Sequence, residues 1–368
     1  MNPALRRRAL VVLLALLAAV LFPGRPAAAA AAAGTVLTNA AVALPAELSG
    51  LATGRRVSFV TEGARGVIST STGLVLTPKT NKKNRLVVWA HGTTGIADKC
   101  APSSNYNVFW PEARAAVAEM LSRGWTVAAP DYQGLGTAQE HPYLVGLSEA
   151  KSIIDSAKAA RNLDAALSTQ YVIYGHSQGG QGALFANQIA TAYDGNLVLK
   201  GTAAVAPVSN VDAFAPLIPG TPGQGYLVMG LYGLNAVEPT YLPITVLAPQ
   251  ARQKLPVLQT GCLYEVLDAY APLTANQLLV GGSLPANWIN KLKQYDNPAQ
   301  TAPTAPIYLV QGTDDEAVPA FITEELLLPQ LQQYTQPVQF VEVVGANHDG
   351  AVTATTDQVG DWIAAHFS

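Results

Sequence analysis

The stretch YGHSQGGQ, residues 174–181, sets one serine between a histidine and a glutamine, with Gly175 and Gly179 two positions away on either side. An apolar run, TQYVI, precedes it and a helix-like run, GALFANQIATAY, follows. G-x-S-x-G between a strand and a helix predicts a strained turn that exposes the Ser177 hydroxyl as a nucleophile. The glycines are required because a side chain at either place would collide with the neighbouring strand or helix. The N-terminus of the following helix favours negative charge developing at the site.

A serine hydroxyl is a poor nucleophile alone and needs a base oriented by a carboxylate. On a strand–turn–helix of this kind the chain order is serine, acid, histidine. His91 and His141 precede Ser177 and His176 adjoins it, which leaves His348 and His366. His366, two residues from the C-terminus, reads as a partly exposed helix residue. His348, in VVGANHDGA, reads as a loop residue straight after a strand, where such a base belongs. Asp349 reads as a turn residue before Gly350. The acid lies in YLVQGTDDEAVPA, where Asp314 and Asp315 compete. Oxyanion donors are also needed. One is the backbone N–H of Gln178, the residue after the nucleophile. The second comes from the early loop HGTTG, with the Thr93 N–H as the donor and its hydroxyl as a further bond; His91 reads as a structural residue that pins the loop.

These residues must be held by a scaffold. Apolar runs begin at 73 (GLVLTP), 85 (RLVVWAHG), 125 (WTVAAPD), 170 (QYVIYG), 201 (GTAAVAP), 306 (PIYLVQG) and 338 (VQFVEVVG). Most are continuous rather than alternating, as in strands buried on both faces of a parallel sheet. Helical patterns lie between them: PEARAAVAEMLSRG, SEAKSIIDSAKAARNL, GGQGALFANQIATAY and the final TTDQVGDWIAAHF. The first has Pro111 just inside its start and Gly124 just past its end. The alternation predicts an α/β, mostly parallel, doubly wound sheet. Residues 209–303, rich in Pro, Gly and aromatics, carry no clear buried strand. They read as a mainly helical cap (lid) inserted between nucleophile and acid and lining a hydrophobic pocket. The core is then 34–208 and 304–368.

The first 33 residues read as a cleavable signal peptide: Arg6, Arg7 and Arg8, then the 14 apolar residues ALVVLLALLAAVLF, then several A-x-A sites. RRRALVV also resembles a twin-arginine signal, so either export route remains open, as does an uncleaved anchor. The leader holds four of the 22 basic residues and none of the 25 acidic ones, which leaves a mature balance of about −7. Without a Lys/Arg cluster, nucleic acid is not an expected partner. Only 13% of residues are charged against 49% hydrophobic, the composition of a folded rather than disordered chain. The two cysteines, Cys100 and Cys262, most often form one disulfide in an exported protein; two separate buried thiols are the alternative. No metal-ligand spacing is present, and neither metal nor cofactor is expected.

HGTTG…CAPS, DYQGLG, GHSQGG, DEAVP and NHDG occur in an order that resembles the secretory lipases, the lipase A-like group of α/β-hydrolases. The resemblance covers nearly the whole mature chain. It implies an α/β-hydrolase core with an inserted cap, and a secreted serine hydrolase of triacylglycerols or simpler esters. The spacing D-x-x-V-P, common after this strand in α/β-hydrolases, selects Asp315 and leaves Asp314 as a turn residue. Carried over by position, Ser177, Asp315 and His348 form the triad, and Gln178 and Thr93 the oxyanion hole. The resemblance also pairs Cys100 with Cys262 of the cap. HGTTG departs from fungal members, which carry an acidic residue near that point, so the donor side chain differs. The expected partners are a lipid or small ester substrate and transient contact with a lipid interface, with a monomer as the default. Other activities on this fold (peptidase, acyltransferase, polyester hydrolase) and a non-catalytic secreted binding protein are the competing readings. A dehalogenase would carry Asp where Ser177 stands.

Overall fold

The computed structural model of the chain describes residues 31–367; the predicted leader up to residue 30 lies outside them. Among the described residues the strands are β1 (Val36–Val42), β2 (Ala52–Glu62), β3 (Ile68–Pro78), β4 (Leu86–Ala90), β5 (Thr126–Gln133), β6 (Gln170–His176), β7 (Val198–Val205), β8 (Ile307–Gly312) and β9 (Val338–Val343). They form one sheet in the order β1-β2-β3-β5-β4-β6-β7-β8-β9. From β5 to β9 all neighbours are parallel, whereas β1, β2 and β3 join antiparallel.

The continuous apolar runs follow from burial on both faces. In β4, Val87 and Trp89 face one core cluster while Leu86, Val88 and Ala90 face another; β6 divides Val172 and Tyr174 from Tyr171 and Ile173 in the same way. The first cluster is covered by α1 (Pro111–Ser122) and α7 (His348–His366), the second by α2 (Gly146–Leu163) and α3 (Gln178–Tyr193). This is the doubly wound, mostly parallel α/β arrangement expected. Gly124 ends α1 at φ +82°, a left-handed backbone where an added Cβ would also overlap the Asn81 carbonyl.

Two strands were not expected. β1 is exposed along almost its whole length, and β2 alternates buried and exposed residues, including Arg55 and Arg56. Neither is a continuous apolar run, because the antiparallel end of the sheet does not carry helices on both faces.

Between β7 and β8 no strand of the sheet occurs. The chain instead passes through short helical segments, chiefly α4 (Gln224–Val237), α5 (Leu263–Tyr270) and α6 (Ala286–Asp296). Their starts are fixed locally. At α5 the Glu265 carboxylate accepts from the Cys262 N–H at 2.8 Å, a capping interaction. Leu227, Leu234, Val266, Leu278, Trp288 and Leu292 close a core of their own with Tyr143–Val145 and Val318. Cys100 and Cys262 are joined by a disulfide, with Cα atoms 5.5 Å apart, tying the loop after β4 to the start of α5. No helix among the described residues is long and apolar enough to cross a membrane.

Candidate active site

The expected site residues all lie at the carboxyl ends of parallel strands, where α/β sheets place ligands. Thr93 follows β4, Ser177 follows β6, Asp315 follows β8 and His348 follows β9.

Ser177 stands between β6 and α3 with φ 55° and ψ −119°. A left-handed φ is strained for a residue with a side chain and persists where the surrounding structure holds it. The two flanking glycines allow this turn. A Cβ on Gly175 would overlap the Gly179 carbonyl, and one on Gly179 would overlap the Ala90 carbonyl of β4. Helix α3 therefore begins pressed against the strand beside it.

His348 Nδ1 lies 2.7 Å from Asp315 Oδ2. The Asp315 carboxylate is fully sequestered and accepts three further bonds: from Gln311 Nε2 at 3.0 Å, Ala317 N–H at 2.9 Å and Val318 N–H at 2.8 Å. Among the described residues, its neighbour Asp314 accepts only from the Thr313 hydroxyl. Asp315, not Asp314, is the aspartate beside the His348 ring. His348 is not in a loop, as expected, but is the first residue of α7. Asn347 caps that helix by accepting from the Gly350 N–H at 2.8 Å. Asp349 is accordingly a first-turn helix residue rather than a turn residue, with Oδ1 4.0 Å from His176 Nε2.

Ser177, His348 and Thr93 line one cleft of about 800 Å³. Neither the Gln178 N–H, at the first position of α3, nor the Thr93 N–H has a hydrogen-bond partner among the described residues. The Thr93 hydroxyl is 2.7 Å from the Tyr143 hydroxyl, and the Thr93 carbonyl accepts from Trp110 Nε1 at 3.2 Å. His91 is buried against Tyr132, whose hydroxyl donates to the His91 carbonyl at 2.8 Å. The loop is also held from β5. The Asp131 carboxylate accepts from Ser103 N–H at 2.9 Å and Thr72 Oγ1 at 2.6 Å. That contact joins Asp131 of DYQGLG to Ser103 of CAPS.

Beneath the site lies a polar layer that sequence reasoning missed. The Gln178 side chain donates from Nε2 to Glu149 Oε1 at 2.8 Å and to His141 Nε2 at 3.2 Å, and His141 Nδ1 donates to the Gln133 carbonyl at 2.8 Å. His141 must be the neutral tautomer to accept and donate in this way, and burial lowers its pKa to about 4. Burial raises the Glu149 carboxyl to about 8. Glu112, at the second position of α1, lines the cleft and is raised to about 7, by burial first and then by the Asp349 charge. Nothing in the sequence separates Glu112 or Glu149 from an ordinary surface acid on a helix.

Among the described residues one group could approach a metal ion together: His176, His348 and Asp349, with ligand atoms within 4.8 Å of one another. His176 Nε2 already donates to the His348 carbonyl at 3.2 Å, and His348 Nδ1 is engaged by Asp315.

The chain resembles the secreted triacylglycerol lipase LIP7 of Malassezia globosa at 24% identity, over 82% of this chain and 68% of that protein. It resembles the secreted triacylglycerol lipase LIP2 of Malassezia furfur at 26%, over 72% of this chain and 60% of that one. It thus spans two thirds or less of most such relatives. In fold it matches Candida antarctica lipase A in its closed state with a TM-score of 0.78 at 18% identity, covering 91% of this chain and 82% of that one. The rice cell wall degrading esterase LipA of Xanthomonas oryzae gives 0.74 at 22% identity, covering 90% of this chain and all (100%) of that one. The family model for secretory lipases matches residues 112–368, from the start of α1 through the strands and turns that carry Ser177, Asp315 and His348, and the chain belongs to the secretory lipase family, carboxylic ester hydrolases with the α/β-hydrolase fold.

Proposed function

We propose that this chain is an exported hydrolase of triacylglycerols or simpler acyl esters that works through an acyl-enzyme on Ser177. The observation that carries the reading is the 2.7 Å contact of His348 Nδ1 with a fully hydrogen-bonded Asp315, in the cleft that also holds Ser177 on its strained turn. His348 Nε2 takes the Ser177 proton as Oγ attacks the ester carbonyl. The N–H groups of Gln178 and Thr93 receive the oxyanion, and the α3 N-terminus adds to its stabilisation. His348 returns the proton to the departing alcohol. Water then attacks the acyl-enzyme by the same route, which restores Ser177 and releases the acid. Asp315 orients the ring and stabilises its charged form without itself becoming protonated.

Residues 209–303 serve as the cap. They supply most of a narrow apolar slot that begins at Ser177 and Thr93 and continues past Phe214, Leu227 and Leu292. This slot takes the acyl chain, and the wider, more polar cleft takes the alcohol. Leu217, Leu242, Ile244, Tyr264 and Val280, all in the cap, are exposed, which supports transient contact of a monomer with a lipid interface. The relatives named as secreted, together with the basic–apolar–alanine leader, support export by a cleaved signal peptide.

Initial rates of the mature protein on p-nitrophenyl esters from acetate to palmitate test the reading, with Ser177→Ala as the blank. Hydrolysis that vanishes in the variant is the expected result, and long-chain turnover would mark the slot as an acyl channel. Turnover retained in Ser177→Ala, or none with any ester, would contradict it.

A further inference from the structure

Among the described residues, Asp296 is the one acidic residue lining the apolar slot. It is the last residue of α6, only 1% exposed, and it lines the slot with Leu144, Phe214, Leu227 and Leu292. Three features make this a poor place for an acid. The C-terminal end of a helix repels a carboxylate. Its Oδ1 is buried with no hydrogen-bond partner among the described residues, so its desolvation is uncompensated. A second buried carboxyl, Glu149, lies close enough to oppose its ionisation. Burial, then Glu149, raises the Asp296 carboxyl well above the ordinary range, which favours the protonated form that can both donate and accept. Its main chain is secured separately, by Gln181 Nε2 donating to the Asp296 carbonyl at 2.6 Å. Leucine or asparagine would satisfy the fold at lower cost. A buried polar group that breaks local rules beside a reaction site is best explained by a ligand.

We infer that Asp296 is a specificity residue that hydrogen-bonds a hydroxyl group carried on the acyl chain, so that the preferred substrates are esters of hydroxylated fatty acids rather than of plain alkanoic acids. This rests on the acyl-enzyme reading above. A hydroxyl can donate to the unpartnered Oδ1, and the apolar remainder of the slot suits the methylenes around it. The slot's volume of about 50 Å³ holds one or two waters at roughly 30 Å³ each. A hydroxylated chain that widens the slot replaces such water at Asp296, whereas a plain chain leaves the acid dry and unpaired.

The test is kcat/KM on methyl octanoate and on methyl hydroxyoctanoates with the hydroxyl stepped along the chain, followed by acid release. Wild type should favour the best-placed hydroxyl by roughly tenfold, the worth of one buried hydrogen bond. Asp296→Leu should reverse the ratio, and Asp296→Asn, which keeps a donor and an acceptor, should retain most of it. A role confined to folding would lower both rates together and leave the ratio unchanged. Absence of any hydroxyl preference in wild type, or equal ratios in wild type and Asp296→Leu, would overturn the inference while leaving ester hydrolysis intact. If Asp296→Leu does not fold, the wild-type series and Asp296→Asn decide. Folded wild type that cleaves neither ester class would overturn the acyl-enzyme reading as well.

Discussion

Glu149 gives the most quantitative handle on how the site is built. It is fully buried on α2, and its Oε1 accepts both the Gln178 side chain at 2.8 Å and the Leu144 N–H at 3.0 Å. Its Oε2 is buried without a partner among the described residues. Burial raises its pKa from 4.5 to about 8. Below pH 4.5 the folded and unfolded chains both hold the proton, so stability is unaffected. As pH rises from there towards 8, the unfolded chain releases the proton and the folded chain keeps it. Unfolding is then favoured by about 1.4 kcal/mol per pH unit, up to the pKa of the folded state. Across the window this amounts to on the order of 4–5 kcal/mol, a large share of a typical folding free energy. Glu149→Gln removes the proton from the account and keeps an amide of the same shape. Urea unfolding of both proteins at pH 5, 6, 7 and 8 isolates the effect, because every other titrating group is common to the two. Wild type should lose stability with pH more steeply than the variant by up to one proton's worth. Parallel profiles would refute the assignment of Glu149 as a buried neutral acid beneath Gln178.

Gly179→Ala should destabilise the fold by about 1–3 kcal/mol or more, since its Cβ would overlap a strand carbonyl that cannot rotate away; an unchanged thermal midpoint would contradict the packing of α3 on β4. Asp315→Asn should lower kcat on the order of 10³- to 10⁴-fold with little change in midpoint. A similar loss in Asp314→Asn with Asp315→Asn active would reverse the assignment. Cys262→Ser should cost about 2–4 kcal/mol, because the bridge closes a loop with a sequence separation of 162 residues. Reductant should shift the wild-type unfolding midpoint but not that of the variant, and a wild type indifferent to reductant would contradict the prediction.

The parts legible in the sequence share one physical cause. Strands β3 to β8 are mostly buried on both faces and so read as apolar runs, whereas the edge strand β9 is half-buried at most. GHSQG between such a run and a helical pattern then locates the nucleophile turn. Strands β1 and β2 are not unbroken apolar runs, although the period-two burial of β2 is a usable signal. His348 follows β9, as expected, but opens a helix and does not lie in a loop. Asn347 followed by an acid in the next turn is an N-cap signature that could have started α7 at His348. The buried acids were illegible for a deeper reason. Glu149 sits in SEAKSIIDSAKAARNL and Asp296 in KQYDNP, and both strings resemble surface sequence. Only the approach of α6 to α3, set by long-range packing, brings Asp296 near Glu149 in a dry interior.

The central claim is that Ser177 is the residue that becomes acylated, and reaction with a fluorophosphonate followed by peptide mass spectrometry tests it most directly. One adduct per chain on the peptide containing Ser177, absent after Ser177→Ala and strongly slowed in Asp315→Asn, is the predicted result. An adduct on another serine, or a folded protein that takes none, would contradict it.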